Sequence, residues 1–275
     1  MFDIYVGIII VALLIAGLFF SGFYIAKTFR KKISNIVAAI TIIFLFVYFC
    51  VLDKSRYLYT LIPFSNLIII GRWGPLIISF FCGLAWEKIP GKSLKKTCYL
   101  LPLIIASLYN AYNYFFLPLP KCYNNWQNGI CIQTSASTCS AACSATLLKL
   151  HGIKTTEKEM AELCLSRKTG TDFYGLLRGL KLKTKGSKWD VEIFQWDFAN
   201  LKKINTPAII RISTQNVKSR DLPYERGIRH TLVLLSFLKN GKVELGDPST
   251  GRTMWSADTL KLVWYGQGIR LVKKE

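Results

Sequence analysis

The sequence predicts an α+β globular domain, residues 121–275, behind a membrane region of about four transmembrane helices, residues 1–120. Three observations carry this. Acids are nearly absent from the first part, which holds three of them against eleven Lys or Arg; the second part holds thirteen against twenty-five. A chain that is 51% hydrophobic and only 19% charged has more apolar surface than one core of this size needs. In the second part helical patterns come first and strand patterns follow, the order of an α+β fold.

Apolar runs place the membrane helices near residues 4–26, 36–52, 65–86 and 99–119. Pro63, Gly71, Gly74 and Pro75 interrupt the third. Its one charge, Arg72, reads either as a snorkelling side chain at the interface or as a functional charge inside the membrane. Basic residues cluster between the first two runs (Lys27, Arg30, Lys31, Lys32) and between the last two (Lys88, Lys92, Lys95, Lys96). The middle loop has only Lys54 and Arg56, offset by Asp53. Positive residues favour the cytoplasm, so the N-terminus and the globular half are expected outside. The first run lacks a basic lead-in, which argues against a cleaved signal peptide.

In the globular half, Ser140 to Leu150 has a helical pattern ended by Gly152. Thr156 and Glu159 form a capping-box signal for a helix to about Leu165, and Asp172 can cap a third over Phe173–Leu182. Strand patterns follow at Val191–Gln195, Ala208–Ser213, His230–Leu238 and Lys242–Leu245, with Asn240-Gly241 as the hairpin signal joining the last two. Ser256 can cap a short helix, and Gly268–Val272 reads as a last strand.

The sequence contains two histidines. His151 ends a helix, where imidazole favours the C-terminal dipole. His230 opens a strand that is apolar on both faces and therefore central; by itself this fits a satisfied structural histidine as well as a functional one. The hairpin, however, returns Asp247 to its vicinity. A carboxylate beside an imidazole fixes the tautomer of a general base. Cys139 lies in the first turn of a helix, where the dipole favours thiolate. Cys139 as nucleophile, His230 as base and Asp247 as orienter make a complete set. Gln133 can donate its amide to a developing oxyanion, with the Cys139 N–H as second donor. Cys143, one turn on, competes as nucleophile but lies beyond the strongest dipole effect.

These residues resemble the C39 peptidases, the bacteriocin-processing, double-glycine-leader cysteine peptidases, which are papain-like domains often fused to ABC exporters. Gln133 and Cys139 match the family's oxyanion glutamine and nucleophile. Gly170-Thr171-Asp172 with Gly175-Leu176 matches a further motif, Thr206 to Ile210 the strand before the histidine, His230 that histidine, and Asp247-Pro248 with Gly251 the triad turn. The resemblance runs from about residue 129 to the C-terminus. Two features depart from the family: Thr138-Cys139-Ser140 stands where Asp-Cys-Gly is usual, and no Walker A motif occurs in the sequence.

Five cysteines fall in the globular half. Outside the cell, Cys122 with Cys131 and Cys143 with Cys164 are the natural bridges, leaving Cys139 free. No paired C-x2-C element supports a zinc site with His151, and no metal or other cofactor is expected. The basic clusters Arg167-Lys168 and Lys181 to Lys188 suit anionic lipid headgroups better than nucleic acid. The stretch Lys218–Arg229 is either a loop flanking the cleft or a plain connection.

The expectation is therefore a membrane-anchored cysteine peptidase in a bacterial cell membrane, acting outside on a peptide or protein, with a Gly-Gly-type leader as one candidate. A separately encoded exporter is a candidate partner. The alternatives are a non-catalytic peptide-binding domain, which Ser140 in place of glycine favours, and an acyl or amide transferase using the same triad.

Overall fold

The computed structural model describes residues 2–50, 74–115, 117–215, 224 and 227–274. Arg72, the middle basic loop and residues 65–73 of the expected third span lie outside them, as does most of the stretch from 218 to 229. The chain forms two compact units, Met1–Leu117 and Pro118–Glu275.

The first unit contains helices α1 (Phe2–Thr28), α2 (Lys31–Cys50), α3 (Gly74–Lys88) and α4 (Ser93–Phe115). Backbone meets backbone where α1 crosses α3. A Cβ on Gly22 would lie 2.3 Å from the Phe80 carbonyl oxygen, and one on Gly83 would lie 2.1 Å from that of Phe19. The Ser79 hydroxyl donates to the Ile15 carbonyl at 2.6 Å across the same seam. Small residues and a buried hydroxyl bond are how helices associate where hydrophobic burial offers no gain. At the other side of α3, Lys88 Nζ donates to Asn35 Oδ1 at 2.6 Å, so the two basic segments sit at one end of this unit.

The expected count of four spans is corrected here. Among the described residues two helices are long and apolar enough to cross a membrane, Tyr5–Thr28 and Lys31–Cys50. Only 11% and 17% of their apolar windows are buried, unlike the core helix of a soluble protein. Of the expected third span, residues 65–73 lie outside the described residues, and the described part, α3, has 15 residues. The fourth, α4, has the length, but Lys95, Lys96, Asn110 and Asn113 dilute its apolarity and Pro102 interrupts its ladder.

The second unit is α+β, helices first and then an antiparallel sheet. A small hairpin, β1 (Asn125–Gln127) and β2 (Ile130–Ile132), turns at Asn128-Gly129, both at positive φ. Helices α5 (Cys139–Leu150), α6 (Glu157–Leu163) and α7 (Phe173–Thr184) follow. Thr156 caps α6 by accepting from the Glu159 N–H, and Asp172 caps α7 by accepting from that of Tyr174. The remaining elements are β3 (Trp189–Gln195), α8 (Phe198–Leu201), β4 (Ala208–Ser213), β5 (Arg229–Phe237), β6 (Lys242–Asp247), β7 (Gly251–Ser256), α9 (Ala257–Val263) and β8 (Trp264–Lys273).

The six long strands pair antiparallel in the order β3-β8-β4-β5-β6-β7. The last strand, β8, inserts between β3 and β4, which makes β4 and β5 central. Strand β5 is buried on both faces. Leu232 and Leu234 join a core with Ile210, Leu245, Trp255 and Leu260, while Thr231 contacts α5. The sequence reading missed β7 and the β1–β2 hairpin, although the latter carries an Asn-Gly signal of its own.

Candidate active site

The site gathers at the start of α5 and the ends of β5 and β6. The β5–β6 register pairs Val233 with Gly246, so Asp247 lies one step beyond, at the end of β6. From there its Oδ1 lies 3.1 Å from His230 Nε2. Both side chains are buried, at 9% and 3% exposure. With Nε2 committed to Asp247, Nδ1 is the ring nitrogen left to face Cys139, whose neighbour Ser140 shares a hydrogen bond with Thr231, the residue after His230.

Each group is shifted in the direction the other requires. Burial opposes ionisation of Cys139. The hydrogen bond and charge of His230, then the hydroxyls of Thr231 and Ser140, outweigh it and hold the thiol below its ordinary value. Burial disfavours imidazolium at His230, but hydrogen bonds to Asp247 and Cys139 and their charges raise it to about 9. Burial also works against the Asp247 carboxylate, and the bonds from His230, Tyr224 and the Ser249 N–H prevail and lower it. The arrangement favours a thiolate–imidazolium pair.

The other four cysteines of this unit behave oppositely. Burial first, with nearby carboxylate charge, pushes Cys122 up to about 11 and Cys131 up to about 12. Burial raises Cys164 to about 12 and Cys143 well above the ordinary range. Cys143, the competing nucleophile, is 1% exposed and donates to the Thr231 carbonyl at 3.2 Å. Neither expected bridge is formed: Cys122, Cys131, Cys143 and Cys164 are all free thiols. Cys122 Sγ points to the Pro120 carbonyl and Cys164 Sγ to that of Leu176, each engaged locally instead.

Thr138 stands at the N-cap of α5 but makes no side-chain cap. Its hydroxyl instead donates to the Ser135 carbonyl at 2.8 Å. The Thr138 side chain therefore leaves the first-turn amides of α5 uncapped, as an oxyanion binder requires. Gln133 is placed beside Asp247: its N–H donates to the Pro248 carbonyl at 2.7 Å. Its Oε1 is buried without a hydrogen-bond partner, while the oxyanion role rests on the other end of the amide, the Nε2 donor. The close approach of β2 to β6 that permits this depends on Gly246, where a Cβ would sit 2.7 Å from Ile130 Cδ1.

Glu157, Thr231 and Tyr224 were not singled out from sequence, and Ser140 was noted only as standing where glycine is usual. Glu157 is fully buried and takes the Thr134 N–H at 2.8 Å and hydroxyl at 2.7 Å, fixing the residue after Gln133. The Ser140 and Thr231 hydroxyls pair at 3.0 Å, linking α5 to β5 beside both Cys139 and His230. Tyr224 donates its hydroxyl to Asp247 Oδ2. By contrast, His151 Nδ1 lies 2.8 Å from the Leu147 carbonyl and its ring packs edge-on against Trp189, a structural role. Among the described residues no group of three His, Cys, Asp or Glu could hold a metal ion.

The model of the Peptidase C39 family matches residues 127–275, more than half of the sequence. The chain belongs to the Peptidase C39 family. Similar solved structures include a double glycine motif protease from an AMS/PCAT transporter in complex with the leader peptide (16% identity, 57% of this chain and 97% of that one, TM-score 0.44). Another is the peptidase domain of Streptococcus ComA, a bi-functional ABC transporter involved in a quorum-sensing pathway (20% identity, 52% and 96%, TM-score 0.42). No curated protein matches the chain. The C39 match begins at β1 and includes the helices and sheet described above.

The pair also sets a pH limit. His230 holds its proton up to about 9, so alkylation of Cys139 is expected to rise as the thiol ionises. The form with protonated His230 is then expected to disappear as pH passes about 9. Stability follows the same sign. A histidine whose value is raised on folding contributes fully below its unfolded value, about 6.5, and loses that contribution as pH rises through the folded value. Urea melts of wild type and His230→Ala at pH 6 and pH 10 check this, since the raised cysteines contribute to both proteins; an equal fall in the two would contradict it.

Proposed function

We propose that this protein is a membrane-anchored cysteine peptidase that cleaves a peptide or protein substrate. The observation that carries this is the Cys139–His230–Asp247 cluster, with opposite shifts on thiol and imidazole. Cys139 Sγ attacks the scissile carbonyl carbon, whose oxygen becomes an oxyanion facing the Cys139 N–H and the Gln133 side chain. The oxyanion collapses, the carbon–nitrogen bond breaks, and imidazolium His230 gives its proton to the leaving amine. Neutral His230 then takes a proton from water, which attacks the thioester and restores the thiolate. Asp247 keeps Nε2 protonated throughout.

Membership of the C39 family supports a peptide leader of the double-glycine class as substrate, and a separately encoded exporter as partner. Ser140 does not favour the binding-only alternative. Its hydroxyl is turned to Thr231 and the residue is 6% exposed, so it does not fill the cleft. The test is cleavage of a synthetic precursor with a Gly-Gly leader end by the full chain in detergent, with a thiol-directed peptidyl probe. Cleavage after the second glycine and labelling of Cys139 above other cysteines are expected. Peptide binding without turnover or labelling would reject the peptidase reading.

The charge pattern favours a peptidase unit outside the cytoplasm. Both basic segments lie at one end of the helical unit, joined by Lys88 and Asn35, and positive residues favour the cytoplasm. A reporter active only in the cytoplasm, fused after Glu275, is expected to be silent; an active fusion would reverse this placement.

A further inference from the structure

Tyr224 belongs to none of the motifs that define the site. It lies in the connection between β4 and β5, whose base is closed by Thr214 N–H to the Ile228 carbonyl at 2.9 Å and Ile228 N–H to Thr214 Oγ1 at 3.0 Å. From this connection the phenol reaches Asp247 Oδ2. Its ring centre lies 5.0 Å from that of His230 and 5.9 Å from that of Trp255.

With Tyr224 counted, the Asp247 carboxylate is full. Oδ1 takes His230 Nε2 at 3.1 Å and the Ser249 N–H at 2.8 Å. Oδ2 takes the Tyr224 hydroxyl and the Thr250 hydroxyl, the latter at 3.0 Å. A carboxylate offers about four acceptor sites, so none is left for water. Three of the four donors come from the β5 end and the turn after β6. Tyr224 is the one that arrives from a separate connection.

The geometry points to Tyr224 as a positioning residue: its hydroxyl locks the Asp247 carboxylate in the orientation that holds His230, and its ring screens the His–Asp bond from water. A carboxylate free to turn about its last side-chain bond would present either oxygen to Nε2 and let the imidazole swing. A doubly anchored Oδ2 prevents this. Burial first, and Asp247 second, raise the phenol far above its ordinary value, so it remains a donor at every working pH. The titratable groups around the pair are Cys139 and Cys143 on α5, His230 on β5, Asp247 on β6 and Tyr224 itself.

This inference rests on the peptidase reading, and the experiment separates the two. Wild type, Tyr224→Phe, Tyr224→Leu, Asp247→Asn and the Tyr224→Phe/Asp247→Asn double variant are prepared as full chains in detergent. Precursor cleavage gives kcat and KM; iodoacetamide alkylation of Cys139 against pH gives the alkaline limb. Tyr224→Phe keeps the ring and is expected to lower kcat roughly tenfold with KM little changed. Without the phenol's share, more carboxylate charge faces the imidazolium, so the alkaline limb moves upward. Tyr224→Leu, which also loses the ring, is expected to lose more. In the Asp247→Asn background the Phe change is expected to add no further loss, because its effect passes through Asp247. A Tyr224→Phe protein with wild-type kcat and pH profile, or an equal loss in both backgrounds, would overturn the proposal. A wild type that neither cleaves nor labels at Cys139 would instead reject the peptidase reading on which it stands.

Discussion

A Cys139→Ala protein is expected to lose precursor cleavage by at least about 10³-fold while remaining folded. The sulfur is the attacking atom, and among the thiols described in this unit Cys139 is the one shifted toward ionisation while the other four are shifted away from it. Deletion costs little structure, because Cys139 is partly exposed at a helix start rather than packed in the core. His230 then loses the hydrogen bond and charge of the thiolate, two of the causes that raise it, so its value is expected to fall. Cys143→Ala is the control. That side chain is buried and donates to the Thr231 carbonyl, so its removal is expected to cost about 1 kcal/mol of stability and leave turnover largely intact. Cleavage by purified Cys139→Ala, or its loss only in Cys143→Ala, would contradict the assignment. His230→Ala is expected to match Cys139→Ala, since residues acting as one unit do not lose activity additively.

The second large effect is expected at Asp247. Alanine there removes the acceptor of four donors at once: His230, Tyr224, the Ser249 N–H and Thr250. Activity is expected to fall about 10³- to 10⁴-fold because the imidazole loses its tautomer and orientation. Stability is expected to fall by about 2–3 kcal/mol, because buried donors are left without partners. Asp247→Asn separates the two. Its amide keeps the shape and one acceptor oxygen, so it is expected to restore much of the stability and little of the rate. Denaturant midpoints together with kcat for both variants decide this; an asparagine variant as active as wild type would remove Asp247 from the mechanism.

How much of this was legible in the sequence depends on distance along the chain. Local signals performed well. Thr156, Asp172 and Ser256 cap the helices they were expected to cap, because a side chain two or three residues from an orphan N–H has few other options. The Asn240-Gly241 hairpin likewise brings Asp247 back along β5, since a tight turn fixes the register that follows it. Asn128-Gly129 is an equal turn signal, but its flanking strands have only three residues each, too few to show an alternating pattern. The disulfide reading erred for a different reason. Spacing and compartment suggest that thiols can pair but not where their sulfurs point, and here each is engaged or buried separately. Fewer spans than expected stand among the described residues because α4 extends back to Ser93, taking in Lys95 and Lys96 with Pro102 in its middle, while residues 65–73 of the expected third span lie outside the described residues.

The sequence by itself determined the division into an apolar and a basic half, the helices-then-strands order, and the residue types of a thiol peptidase at family-like spacing. These follow from composition, short-range periodicity and local capping, all of which act within a few residues. Only the tertiary structure decided which groups meet. Ser140 and Thr231 are 91 residues apart in sequence yet share a hydrogen bond beside Cys139 and His230. Tyr224 reaches Asp247 from a connection with no motif, and Glu157 reaches back to steady the segment carrying Gln133. Such meetings depend on sheet order, register and a close approach permitted by Gly246. Those are properties of the packed whole, where hydrogen bonds and opposite charges between neighbours outweigh the burial that opposes both ionised forms.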